Sequence, residues 1–222
     1  MLARKLASLD HISRGRAAWN LVTTESADAA ANFGYATQPT HEARYHRAEE
    51  FYDVVTGLWD TWDDDALVCD RKEGVFFHPG RVHPLDHSGE HFKVRGPLNI
   101  PRPPQGHPVI VQAGSSEAGK ELAARTTEVI FTAQASLADA QAFYRDAQSR
   151  LAKYGRGRDT LKIMSRSNIR VEEHQGKARI TIREAALVAG RGPDGNDLPD
   201  TFKAGELILG ALGTCLIGTV RG

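Results

Sequence analysis

The chain has 222 residues, 41% hydrophobic and 25% charged, with 28 basic residues against 28 acidic ones, which describes a globular protein of one large or two small domains. Zero formal net charge gives no long-range field for capturing phosphate backbones, so nucleic acid is set aside as a partner. No apolar run approaches the roughly 20 residues that cross a bilayer, the start MLARKLASLDHISRGR lacks the apolar core of a secretory signal, and a cytoplasmic protein is expected.

Leu2, Leu6, Leu9 and Ile12 recur at helical spacing and predict a first helix, with neither cap nor strand before it. A chain that opens inside an element suggests a fragment. Residues 17–24 (AAWNLVTT) have the short apolar run of a buried parallel strand, and a long loop is expected over 25–39. Thr40 can cap the next helix, predicted over 41–62, because Ala48, Phe51, Tyr52, Val55, Leu58, Trp59 and Trp62 repeat at steps of three and four.

From Asp63 to His107 the periodicity collapses, leaving strand-like pieces around Val75–Phe77 and His91–Val94; irregular stretches of that length are usually functional. Alternation then resumes, with strands predicted at 109–113, 129–132 and 160–164 and helices at 117–125 and 137–154. Such an order calls for a parallel sheet. After Ser165 the pattern changes to two half-wet strands, 168–172 and 178–183, about Gln175-Gly176, an antiparallel hairpin. A glycine-rich turn and an apolar helix over 203–217 complete the chain.

The two cysteines, Cys69 and Cys215, stand too far apart in sequence for a zinc spacing and make no disulfide framework. His83, His87 and His91 fall at steps of four, but Pro84, Ser88 and Gly89 disfavour a helix between them. A solvated hairpin is the better account, and no metal is expected.

Residues 3–164 resemble the nitrilotriacetate monooxygenase, pristinamycin synthase and dibenzothiophene-sulfone monooxygenase family within the luciferase-like flavin enzymes. The resemblance is carried by separate blocks in order: ARKLASLDHISRGRAAWNLVTT, NFG, HEARYHRAEEFYDVVTGLWDTW, HSGEHFKVRGPLNIPRPPQGHPVIVQAGSS and AGKELAA. It implies an α/β fold, a partial TIM (β/α)8 barrel in which about four of the eight strands are present. It also implies reduced FMN delivered by a separate NADH-dependent reductase, and O2-dependent oxygenation of a small organic substrate. The difficult chemistry would then belong to the cofactor.

The family's flavin contacts carry over to His41 and Tyr45, four apart on one helix face, and to Ser115 and Ser116 after the strand PVIVQAG. Asn20 and Thr23 would line the same mouth, since active sites of such barrels collect at the C-terminal ends of strands. Hydroxyls and free amides at a helix start suit a phosphate, but Ser115-Ser116 can equally be an N-cap, and His41 an exposed first-turn residue.

Set against the family, the opening strands are missing, and an incomplete barrel would leave sheet edges unpaired. That leads to an expectation of association, including a homo-oligomer, and of weak or absent activity. Residues from about 166 to 222 resemble instead the opening of the osmotically induced and organic hydroperoxide resistance family, an antiparallel α+β segment whose reactive cysteine falls on Cys215. Cys215 is thus a nucleophile of a thiol peroxidase or an inert buried thiol; Glu206, nine positions earlier, is out of phase with it on a helix. The expected organisation is a partial monooxygenase barrel over 1–164 joined to a partial peroxidase-like segment over 165–222, a fusion of two truncated pieces.

Overall fold

The first helix, α1 (Leu2–Ser13), ends at Arg14, whose left-handed backbone returns the next amides to the carbonyls of Asp10 and His11. Its buried face is Ala3, Leu6, Ala7 and Asp10, whereas Leu9 and Ile12 lie exposed, so the leucine spacing located the helix but not its inward side. Asp10 decides the orientation. Its carboxylate, fully buried, accepts the backbone N–H of Ala17 at 3.1 Å and the backbone and side-chain N–H of Gln105 at 3.1 and 2.6 Å. A carboxylate with three donors inside the protein has little need of water.

The computed structural model describes residues 1–134, 136–165, 169–174, 177–182 and 185–189. They divide into two units, Met1–Glu128 and Val129 onward. In the first, β1 (Ala18–Asn20) is shorter than expected, and the segment expected as loop holds a helix, α2 (Ala27–Asn32), started by Ser26, whose Oγ accepts the Ala29 N–H at 3.3 Å. The alanine run supplies the propensity. The long helix α3 (His41–Trp59) begins at the predicted Thr40 cap, Oγ1 accepting from Ala43 at 3.2 Å, and stops one turn before Trp62. Trp62 leaves the helix because its indole N–H donates to the Leu98 carbonyl at 2.7 Å and its backbone bridges Val82.

The irregular stretch carries two small antiparallel pairs, β2 (Leu67–Asp70) with β3 (Val75–Phe77) and β4 (His87–Ser88) with β5 (Lys93–Val94). Strand β6 (Val109–Gln112) then pairs parallel to β1, with Ala18, Trp19 and Asn20 aligned to Val109, Ile110 and Val111. Ser116 starts α4 (Glu117–Thr126). The core of this unit is aromatic: Trp19 meets Phe51 and Trp59 edge-on at 6.0 and 6.2 Å and stacks on Tyr52 at 6.5 Å. Each such pair adds about 0.5–1.5 kcal/mol beyond area burial. The Trp59 indole N–H, wholly buried, donates to Ala3 at 3.0 Å and ties α3 to α1.

In the second unit, β7 (Val129–Thr132) pairs parallel to β8 (Lys162–Ser165) around α5 (Leu137–Leu151). The last three residues of the predicted helix, Ala152–Tyr154, form a 3-10 turn closed by left-handed Gly155, and β8 begins two residues late because Arg158–Thr160 form another such turn. Strands β9 (Ile169–His174), β10 (Lys177–Ile182) and β11 (Ala185–Ala189) make an antiparallel meander, so the predicted hairpin has a third strand. The glycine-rich turn, the helix over 203–217, Glu206 and Cys215 lie outside the described residues.

Candidate functional site

The two parallel strands of the first unit place their carboxyl ends side by side: Asn20 aligns with Val111, and the Leu21 N–H donates to the Val111 carbonyl at 2.8 Å. Just beyond lie Gln112 and the turn into α4. Two buried acceptors on this edge, Asn20 Oδ1 and Gln112 Oε1, have no hydrogen-bond partner among the described residues. Leaving a buried acceptor unmet is costly, so these two oxygens are places for a donor from water or from a ligand.

Helix α3 brings His41 and Tyr45 to the same place. Their rings lie 4.6 Å apart between centroids, tilted by 36°. The Tyr45 hydroxyl reaches the β6–α4 turn: a Cβ on Gly114 would stand 3.1 Å from it, and one on Gly119 only 3.0 Å. The two glycines are also crowded against each other, the Gly119 Cβ position being 3.0 Å from the Gly114 Cα. Side chains at either position would push turn, helix and tyrosine apart.

An open cleft of about 440 Å³ is lined by His41, Glu42, Tyr45, His46, Glu49, Glu117 and Ala118. Its carboxylates are partly matched: Lys120 pairs with Glu117 at 2.5 Å, and Arg125 lies 3.9 Å from Glu49 while gripping Asp53 at 2.8 Å. The Asp53 and Glu49 charges hold the Arg125 guanidinium above its ordinary pKa against the opposing effect of partial burial.

Five of the six sequence-predicted residues therefore lie at this strand edge or in its cleft. His41 and Tyr45 line the cleft, and Ser115 and Ser116 occupy the turn that Tyr45 touches. Ser116 is the N-cap of α4, its Oγ accepting the Gly119 N–H at 3.1 Å, so that part of the bland alternative holds for it. Asn20 lies at the same strand edge. Thr23, half-buried three residues past β1, is joined to the others by no side-chain hydrogen bond among the described residues.

Two residues escaped the sequence reading. Gln112 is a polar residue closing the apolar run VIVQ, and its burial is the signal that only the structure supplies. Glu50, near the middle of α3, accepts the amides of His91 and Phe92, both at 2.8 Å, and His87 Nε2 at 2.9 Å. Partial burial opposes its ionisation, but the His87 bond and the two amides prevail and bring its carboxyl down from 4.5 to about 2. The histidine hairpin thus exists as β4 and β5 but is not solvated in the way expected. The His87 and His91 side chains are only 22% and 23% exposed, because Glu50 draws the loop onto the helix. Cys69 is exposed and free.

Parallel strands alternating with helices, with a helix start and polar side chains collected at one strand edge, are the arrangement of part of an α/β barrel. The model of the luciferase-like monooxygenase family matches residues 1–205, and the chain belongs to that family. It is 54% identical over 178 residues to nitrilotriacetate monooxygenase component A of Aminobacter aminovorans, covering 80% of this chain and 39% of that protein. It is 52% identical over 163 residues to N-acetyl-S-(2-succino)cysteine monooxygenase of Bacillus subtilis (strain 168), covering 73% and 37%. Among solved structures, a riboflavin lyase with modified FMN and riboflavin superposes with a TM-score of 0.71 at 39% identity, over 75% of this chain and 37% of that one. The dimethyl-sulfide monooxygenase of Hyphomicrobium sulfonivorans is 41% identical over 73% of this chain and 34% of its own. The chain thus spans less than two fifths of the length of each of these relatives, and the family match continues past residue 164. No helix among the described residues is long and apolar enough to cross a membrane.

Proposed function

We propose that the chain is the oxygenase component, or part of it, of a two-component FMN-dependent monooxygenase, taking reduced FMN from a separate NADH-dependent reductase and oxygenating a small organic substrate with O2. Bound there, the flavin would supply the activation of O2, one oxygen atom going to the substrate and the other to water.

The observation that carries this reading is the convergence of the His41–Tyr45 ring pair, the Gly114–Gly119 cradle and the orphaned acceptors Asn20 Oδ1 and Gln112 Oε1 at one strand edge. These residues fit a flavin. Ring faces suit a flat heteroaromatic, and buried amide oxygens suit its N–H and ribityl O–H donors. The turn at Ser115-Ser116 and the start of the ten-residue helix α4 suit the phosphate end. Glu42 and Glu49 repel a phosphate from the cleft itself, which favours the turn. The protein's share of the work is to bind, orient and shield the reacting ring from water.

Anaerobic titration with reduced FMN, followed by flavin fluorescence and by thermal shift, tests the reading. Saturable binding is expected, weakened about tenfold, or about 1.4 kcal/mol, by Tyr45→Phe and by His41→Ala. Binding that neither variant alters, or no binding at all, refutes it.

A further inference from the structure

Helix α3 carries a second chemical feature at the residue that follows Tyr45. His46 Nδ1 lies 3.0 Å from His91 Nε2, and the Glu90 carboxylate is 3.9 Å from the first nitrogen and 4.0 Å from the second. These three side chains are the one group of potential metal ligands among the described residues. The steps of four at His83, His87 and His91 pointed to a different trio, of which only His91 takes part; its partners come from α3 and from the adjacent glutamate.

We propose that His46, His91 and Glu90 form a binding site for a divalent transition-metal ion of the zinc or cobalt type. Two nitrogens bound to one such ion at about 2.1 Å stand roughly 3.0–3.4 Å apart, depending on whether they subtend an octahedral or a tetrahedral angle. The observed 3.0 Å already meets that requirement. Glu90, with 71% of its side chain exposed, completes the set by swinging inward by about 1 Å. A pair of imidazoles with one carboxylate selects zinc, cobalt, nickel or copper over magnesium or calcium, which prefer all-oxygen shells. Water would fill the remaining positions.

The loop that brings His91 to the helix is held independently of any ion. Glu50, one turn after His46 on the same face of α3, accepts the His91 and Phe92 amides and the His87 ring N–H. A Cβ on Gly89 would overlap Glu50 Oε1, so the loop can sit this close only with glycine there. Arg47 lies over the Phe92 ring, 4.6 Å from its centroid. The two imidazoles are therefore presented by a helix and a pinned loop, which is the preorganisation that metal affinity needs. An ion held there would clamp the β4–β5 hairpin to α3 beside the cleft, which His46 also lines.

The site goes beyond the flavin reading, and its test requires no flavin. The full chain is titrated with cobalt(II) chloride and with zinc chloride, following heat, the cobalt visible spectrum and the melting temperature. One equivalent binds at micromolar concentration, the cobalt spectrum takes on the intensity of nitrogen ligation, and the melting temperature rises. His46→Ala and His91→Ala each weaken binding at least tenfold and abolish the rise. Glu90→Gln, on a largely exposed side chain that leaves the fold intact, also weakens it. Absence of one-to-one binding, or the same affinity in the double histidine variant or in Glu90→Gln as in the parent, overturns the assignment.

Discussion

Gly119→Ala is the substitution that bears most directly on the cradle. The added methyl would stand 3.0 Å from the Gly114 Cα, 3.0 Å from the Tyr45 hydroxyl and 3.1 Å from the Gly114 carbonyl carbon. Two of these neighbours are backbone, so relief requires moving the β6–α4 turn rather than turning a side chain. Overpacking of this kind costs about 1–3 kcal/mol. Against it, alanine gains at most about 1 kcal/mol over glycine in a helix. The sum is a net loss of up to about 2 kcal/mol, or up to about 8 °C in melting temperature for a chain of this size. Because the shift displaces Tyr45 and the serine turn together, reduced-FMN affinity falls in the same variant. Urea denaturation and anaerobic FMN titration measure the two effects, with Gly80→Ala, where a Cβ meets nothing within 4 Å, as the control. A Gly119→Ala protein as stable as its parent, with undiminished FMN affinity, would show that the close approach of turn, helix and tyrosine is not what builds the site.

Two further predictions concern the carboxylates that organise the irregular stretch. Glu50 has its folded-state carboxyl lowered from 4.5 to about 2, so its contribution to stability is complete above pH 4.5 and is lost as the pH falls toward 2. Melting temperatures across that window should drop more steeply for the parent than for Glu50→Gln, and parallel curves would refute the linkage. Asp10→Ala leaves the buried Ala17 N–H and the part-buried Gln105 backbone N–H without their acceptor, at about 1 kcal/mol or more each, while Gln105 Nε2 keeps the Ala17 carbonyl, and is expected to cost on the order of 2 kcal/mol in urea unfolding. A loss under about 1 kcal/mol would mean that water replaces the carboxylate.

What the sequence made legible were the parts governed by local chemistry. Thr40 caps α3 as expected, Ser116 starts α4, and the apolar run 109–113 becomes β6, because caps and strand runs depend on a few neighbouring residues. His41, Tyr45 and the serines were named through the family resemblance alone, and the fold brings them to one cleft and one turn. The inward face of α1 was not legible. Leucine spacing pointed to Leu9 and Ile12, but the partner of Asp10 is Gln105, 95 positions away, and no local pattern contains that pairing.

The same limit explains why the 63–107 stretch resisted reading, and it links the two sites. Its order comes from carboxylates on or just after α3 that reach into it: Asp60 holds Arg102 and His107, Asp63 holds Arg81 and His83, and Glu50 holds the loop at His91. A helix with its apolar face against α1 and β1 has these acids left to organise a chain with no core of its own. Through Glu50 the outcome is specific: the loop lands on the turn of α3 that follows Tyr45, so that His91 meets His46 beside the cleft instead of facing solvent. Glu50→Gln should therefore loosen His91 and weaken cobalt binding while Tyr45 and the Gly114–Gly119 contact, one turn and more away, keep their geometry. Equal loss of cobalt and flavin affinity in that variant would instead make α3, not the pinned loop, the element on which both sites depend.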